Sequence, residues 1–187
     1  MYGLVHTVFR EFLERENDKD IWKKVMKEAG VKEQDFVTME SYDDDITYRL
    51  FGSASQVLER NLDDLLHNFG IFWVIGPAQT GWYGELLHAA GSTLPELISN
   101  LNQLHDTVRS SLPDLKPPRF KCLDVTDSSL RVRYYSHRPG LTPFVVGLIY
   151  GLGQYFKLSL SVTTEKTREE GAQYDEFYVT YEKIKDG

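Results

Sequence analysis

The chain has 187 residues, 26% of them charged, and a formal net charge of −7 at pH 7. This length suits one domain, 1–187, with a core able to enclose a ligand. The negative balance and the lack of a basic run argue against nucleic acid or an anionic membrane surface as a partner. A single cysteine, Cys122, excludes an internal disulfide and any multi-cysteine zinc or iron–sulfur site.

The first segment, 2–16, spaces Val5, Val8, Phe9 and Phe12 as a helix does, with charges on its other face. Arg10, Glu11, Glu14 and Arg15 within it exclude a signal peptide or a membrane span there. A soluble, cytoplasmic protein is expected. Residues 19–29 repeat the pattern through Ile21, Trp22, Val25 and Met26, and Gly30 stops it. Further helices fit 46–59, 61–75 and 82–90. A stronger one spans 94–111, where Thr93 and Glu96 form a capping box around Pro95. Its stripe is Leu94, Leu97, Ile98, Leu101, Leu104, Val108 and Leu112.

After "PDLKPPRF" the period changes to two. Strands fit 119–125 and 130–136 around the turn "TDSS". Residues 141–153 form a buried helix too short to cross a membrane. Strands at 156–163 and 174–182 follow, joined by the polar hairpin loop "TREEGAQYD". The expected fold class is α+β: a helical N-terminal part, about 1–62, packed on a C-terminal four-stranded antiparallel sheet, with the remaining helices and the sheet, about 63–187, enclosing a ligand.

Two features carry chemistry. His105 lies four positions after Leu101 and three before Val108, on the apolar stripe. It is either a core histidine bonded to a backbone carbonyl or an axial ligand to a heme iron. In "RYYSHRPG" strand alternation points Tyr134, Ser136 and Arg138 to one face: a phenol, a hydroxyl and a guanidinium in a row. A heme needs both an axial base and donors for its two propionates.

The Tyr134-x-Ser136-x-Arg138 triplet, about thirty residues after the histidine of an "NLxxLH" helix, resembles the heme–nitric oxide/oxygen binding (H-NOX) family. The likeness runs through "MYGLV", "TYRLFGSASQVL", "LLHNFGIFW", "LPELISNLNQLHDTV", "PPRFKC", "RYYSHRPGL" and "GLIYGLG", nearly the whole chain. It implies a ferrous heme b between helices and sheet, with His105 as proximal iron ligand. Tyr134, Ser136 and Arg138 would bind the propionates, and Pro118 would press on the heme plane. Leu101 and Leu104 would line the cofactor, and Val5, Phe9, Trp73, Pro77, Phe144 and Leu148 the gas pocket. Family members that hold dioxygen carry a distal tyrosine where this chain has Phe144. Nitric oxide and carbon monoxide are therefore the expected ligands, with dioxygen excluded. By the same resemblance, nitric oxide weakens the iron–histidine bond, the heme flattens and the helical front rotates.

Other candidates read as structural. His6, His67, His88 and His137 follow no metal-ligand spacing. Asp43–Asp45 lacks the Gly and Glu of a calcium loop and reads as a solvated turn. Ser110 and Ser111 have no glycine elbow, and the glycines of "GLIYGLG" suit close helix packing. Cys122 reads as a small buried strand residue. The leading function is a gas sensor that is not itself an enzyme; an oxygen-storage or redox heme protein is the alternative, for which the distal groups lack an acid or base. With Gly187 so soon after the last strand, no cyclase or kinase domain is expected within this chain. Output is thus expected through a partner such as a histidine kinase or a cyclic-nucleotide enzyme.

Overall fold

The structure is a computed structural model that describes residues 1–32, 35–76 and 82–184, the side chains of Trp82 and Tyr83 aside. Six helices lead the chain: α1 (Gly3–Glu16), α2 (Ile21–Glu28), α3 (Asp44–Val57), α4 (Leu62–Ile75), α5 (Trp82–Ala90) and α6 (Leu94–Ser111). Strands β1 (Arg119–Leu123) and β2 (Ser129–Tyr135), helix α7 (Thr142–Tyr155), and strands β3 (Leu158–Lys166) and β4 (Asp175–Lys183) complete it.

Local chemistry sets the ends. Gly30, at φ 61°, lets Val31 N–H return to the Met26 carbonyl at 3.0 Å while its own N–H bonds Lys27, which stops α2. Asn61 caps α4 by accepting from Asp63 N at 2.8 Å. At α6, Thr93 Oγ1 accepts from Glu96 N at 3.3 Å, as a capping box requires. The reciprocal half differs: the Glu96 carboxylate takes the Ser92 N–H at 2.9 Å and the Ser92 hydroxyl at 2.8 Å, two donors on one residue.

The sheet is antiparallel in the order β1-β2-β4-β3. Its inner face buries Phe120, Leu130, Val132, Tyr134, Phe177 and Val179 against α6 and α7. A second apolar cluster, built from α1–α4, centres on Phe9, Leu13, Val25, Leu50 and Phe69. Helix α4 joins the two halves by lying directly on α7. A Cβ on Gly70 would stand 2.2 Å from the Phe144 carbonyl oxygen, and one on Gly147 would stand 2.0 Å from that of His67. Only glycine permits this approach, so the "GLIYGLG" glycines do serve packing. No described helix is long and apolar enough to cross a membrane.

Candidate functional site

Helix α6 is keyed to β1 on both sides of His105. Three residues before it, Asn102 donates from Nδ2 to the Phe120 carbonyl at 2.7 Å and accepts the Phe120 N–H on Oδ1 at 2.9 Å. One residue after it, Asp106 receives both terminal nitrogens of Arg119 at 2.9 and 2.8 Å. That second pair is solvent-exposed and contributes direction more than energy. Together they hold the His105 ring 6.3 Å from the Phe120 ring, centroid to centroid.

His105 Nδ1 is buried and has no hydrogen-bond partner. Burial lowers its pKa, and the Pro118 backbone carbonyl opposes this without reaching hydrogen-bonding geometry. The imidazole is therefore neutral near pH 7, the form that ligates metals. His6 is the contrast. It is fully buried, unlike the half-buried His105, and its Nδ1 is likewise unpartnered, but its Nε2 meets Thr47 Oγ1 at 2.8 Å and its ring packs on Phe36 at 4.1 Å. Of the two orphaned imidazoles, His105 fits an axial ligand. Among the described residues no cluster of three or more His, Cys, Asp or Glu side chains forms an all-protein metal site.

The donor triplet is gathered by a turn and not by the pleat of a strand. β2 ends at Tyr135, so Ser136 and Arg138 lie beyond the alternation expected to align them with Tyr134. Ser136 Oγ instead accepts the Arg138 N–H at 3.1 Å and folds the chain locally. Tyr134 is buried against Phe120, ring centroids 5.4 Å apart; burial raises its phenol pKa, with the Ser136 hydroxyl opposing. Arg138 donates from Nη1 to the Lys116 carbonyl at 2.9 Å and from Nε and Nη2 to Asp44 at 2.8 and 3.2 Å. Asp44 also receives the Met1 ammonium at 2.7 Å. Burial opposes ionisation of Asp44, but the bonds from Met1 and Arg138 outweigh it and hold the carboxyl below its ordinary range. The acidic run is solvated at Asp43 and Asp45, which are exposed, but not at Asp44, which is half-buried and joins α3 to the donor triplet. Tyr48, one turn further along α3, donates to the Pro139 carbonyl at 2.8 Å. A phenol, a hydroxyl and a guanidinium on one turn suit carboxylate groups.

Apolar side chains flank these polar groups. Val5, Trp73 and Phe144 are half-buried at the margin of the helical cluster, and Leu101, Leu104 and Leu148 at the margin of the sheet cluster. The Trp73 and Phe144 rings meet edge-on at 6.1 Å. The Trp73 indole donates to no other described residue. Phe9 lies deeper, fully buried between Phe51 at 4.8 Å and Phe69 at 4.9 Å. Phe69 in turn contacts Phe144 at 5.2 Å, so Phe9 backs the wall. Pro118 is half-buried immediately before β1; Pro77 lies outside the described residues. The Asn102 clamp and the Asp44 pairing escaped the sequence reading, because an amide on a helix and an acidic run have no spacing rule that names their partners.

Residues 2–164 match the family model described as haem-NO-binding. Soluble guanylate cyclase gcy-35 of Caenorhabditis elegans is 32% identical over 155 residues, and gcy-37 of the same organism is 30% identical over 152 residues. Each alignment covers 80% of this chain, which spans only about a fifth of those relatives' length (22% and 21%). Among solved structures, an H-NOX protein from S. oneidensis in the Fe(II)NO ligation state superposes with TM-score 0.86 at 17% identity, covering 97% of this chain and 99% of the other. An Fe(II) unliganded H-NOX protein from K. algicida gives 0.81 at 22% identity, covering 98% of each chain. At these identities the structures establish the fold.

Proposed function

The chain belongs to the haem-NO-binding (H-NOX) family of heme-based gas sensors, and from that premise we propose that it holds heme b, binds nitric oxide and carbon monoxide, excludes dioxygen and reports to a partner protein. The observation that carries this reading is His105, a neutral, half-buried imidazole whose buried Nδ1 has no hydrogen-bond partner, on a helix keyed to the sheet. Bound heme supplies a ferrous iron that takes a diatomic gas. His105 would provide the iron ligand, and Tyr134, Ser136 and Arg138 would take the propionates. Pro118, in the segment just before β1, would lie against the cofactor.

Discrimination rests on the distal side chains. Bound dioxygen gathers negative charge on its outer atom and benefits from a hydrogen-bond donor; nitric oxide and carbon monoxide do not require one. Phe144 has none to give. The Trp73 indole is the one donor among the distal side chains assigned here. Its edge-on packing against Phe144 and Phe69 favours a structural role for its ring.

The route of the signal follows the contacts. A change in the load on His105 would reach β1 through the two hydrogen bonds of Asn102 to Phe120. Asp44 and Tyr48 tie the donor turn to α3 and so to the helical front. This is the kind of element whose two arrangements a ligand can bias. The relatives named as soluble guanylate cyclases favour a cyclic-nucleotide enzyme as the output, with a histidine kinase the other class of partner, and a cytoplasmic setting belongs to the same reading.

Absorption spectroscopy of the purified ferrous protein tests it. His105→Gly should lose stable heme unless imidazole is supplied, and the wild type should form no lasting oxy complex in air. Normal loading of the variant with an unchanged ferrous spectrum would refute the assignment. A long-lived oxy complex would refute the selectivity and point to Trp73.

A further inference from the structure

Arg168 sits in the β3–β4 hairpin, four residues beyond the matched span of the family model. Its guanidinium has no free edge. Nε and Nη2 face the Asp175 carboxylate at 3.1 and 3.4 Å, and Asp175 is wholly buried. The Arg168 backbone N–H adds a third bond to that carboxylate at 2.8 Å. Nη1 donates to the Ser136 carbonyl at 2.6 Å and to the Arg138 carbonyl at 3.1 Å. The flat face of the group stands 5.1 Å from the Tyr134 ring centroid. One side chain therefore touches all three members of the donor triplet.

Electrostatics explains why such a residue belongs here. A turn that offers donors to a carboxylate also carries backbone carbonyls, whose oxygens repel it. Arg168 binds two of those carbonyls and turns them toward the hairpin. Its own charge is matched by Asp175, so it keeps no free positive group with which to bind a ligand. Asp175 also accepts the Thr142 hydroxyl at 2.7 Å, at the start of the helix that carries Phe144, and lies opposite Tyr134 in the β2–β4 register. The pair thus joins the donor turn, α7 and the hairpin.

We propose that Arg168, clasped by Asp175, is a positioning residue that fixes the Tyr134-x-Ser136-x-Arg138 turn for the cofactor's carboxylates. This rests on the assignment of that turn to the propionates. Its role is separable from general stability, because it acts on carboxylate recognition and not on the iron or the apolar ring.

The experiment uses holoprotein loaded with iron protoporphyrin IX or with its dimethyl ester, which has no free carboxylates. Loss of each to an excess of a heme-scavenging apoprotein is timed. Arg168→Met should release iron protoporphyrin IX about tenfold faster, the scale of a lost charge-assisted hydrogen bond, and leave release of the ester unchanged. Arg168→Lys, which can meet Asp175 but cannot fork to both carbonyls, should fall between, and it decides the matter if the methionine variant does not fold. Equal acceleration of both porphyrins would mean a merely structural role and overturn the proposal, as would no acceleration of either. If wild-type protein releases the two porphyrins at the same rate, the carboxylates are not read at all. The assignment of the turn then falls, and this proposal with it.

Discussion

Asp44 holds Arg138 with both carboxylate oxygens, at 2.8 Å from Nε and 3.2 Å from Nη2, across 94 positions of sequence. The pair fixes the direction of the guanidinium while competing with any other carboxylate for it. Asp44→Asn should cost about 1 kcal/mol at pH 7, the modest value expected for a pair open to solvent on one side. The sign with pH follows from the lowered carboxyl pKa. The stability is present above the ordinary carboxylate range and is lost as the pH falls through the folded value, so wild type and variant should converge in acid. Urea unfolding at pH 7 and pH 3 reads both effects, and a constant difference would contradict the pairing.

His6 is a second group whose contribution acid removes, at a higher pH than Asp44. Burial first, and the N-terminal charge second, push its pKa from 6.5 down to about 4. The folded protein keeps it neutral while the unfolded chain takes up a proton. Its contribution is complete above pH 6.5 and declines as the pH falls toward 4, by about 3 kcal/mol in all. His6→Gln should be less stable at pH 7.5 but should show a shallower loss between pH 6.5 and 4.5. Parallel unfolding curves for the two proteins over that window would rule the mechanism out.

The α4–α7 contact predicts a pair of opposite outcomes. Gly147→Ala puts a methyl group 2.0 Å from a backbone oxygen, and neither helix has a flexible atom there to yield. A loss of about 1–3 kcal/mol is expected. Gly52→Ala, inside α3 with nothing within 4 Å of the added carbon, should instead stabilise by about 0.5–1 kcal/mol through helix propensity. Thermal melts of both variants check the contrast; a neutral Gly147→Ala would mean the helices separate freely.

Phe144→Tyr tests the basis of gas selection. The ring already meets Trp73 and Phe69, so a phenol there brings a donor to the same wall. The ferrous variant should hold a visible oxy complex in air for measurably longer than wild type. An unchanged lifetime would show that position 144 does not face the gas.

Much of the architecture could be read from periodicity, because apolar side chains at helical or strand spacing have few ways to be buried. Among the described residues, all seven helices and four strands lie where the pattern placed them, within about two to three residues at their ends. β3 runs further, to Lys166, because a bulge between Thr164 and Lys166 lets it stay paired with β4. His105 stood out as a polar residue on an apolar stripe. Strand alternation does not reach the donor triplet: β2 ends at Tyr135, and the Arg138 N–H donates to Ser136 Oγ to fold the segment beyond it. Asn102, Asp44, Arg168 and Asp175 were illegible for a common reason. Each acts through a polar contact with a residue distant in sequence, and a loop such as "TREEGAQYD" looks the same whether its arginine faces water or a turn.

The bonds between Asn102 and Phe120 have a further consequence. β1 is an edge strand, and the Phe120 N–H and carbonyl point away from β2, where another polypeptide could add a strand. The Asn102 amide offers one donor and one acceptor, as a neighbouring peptide unit would, and occupies both. A helix side chain thus ends the sheet at this position, which guards the protein against edge-to-edge self-association without lengthening the sheet.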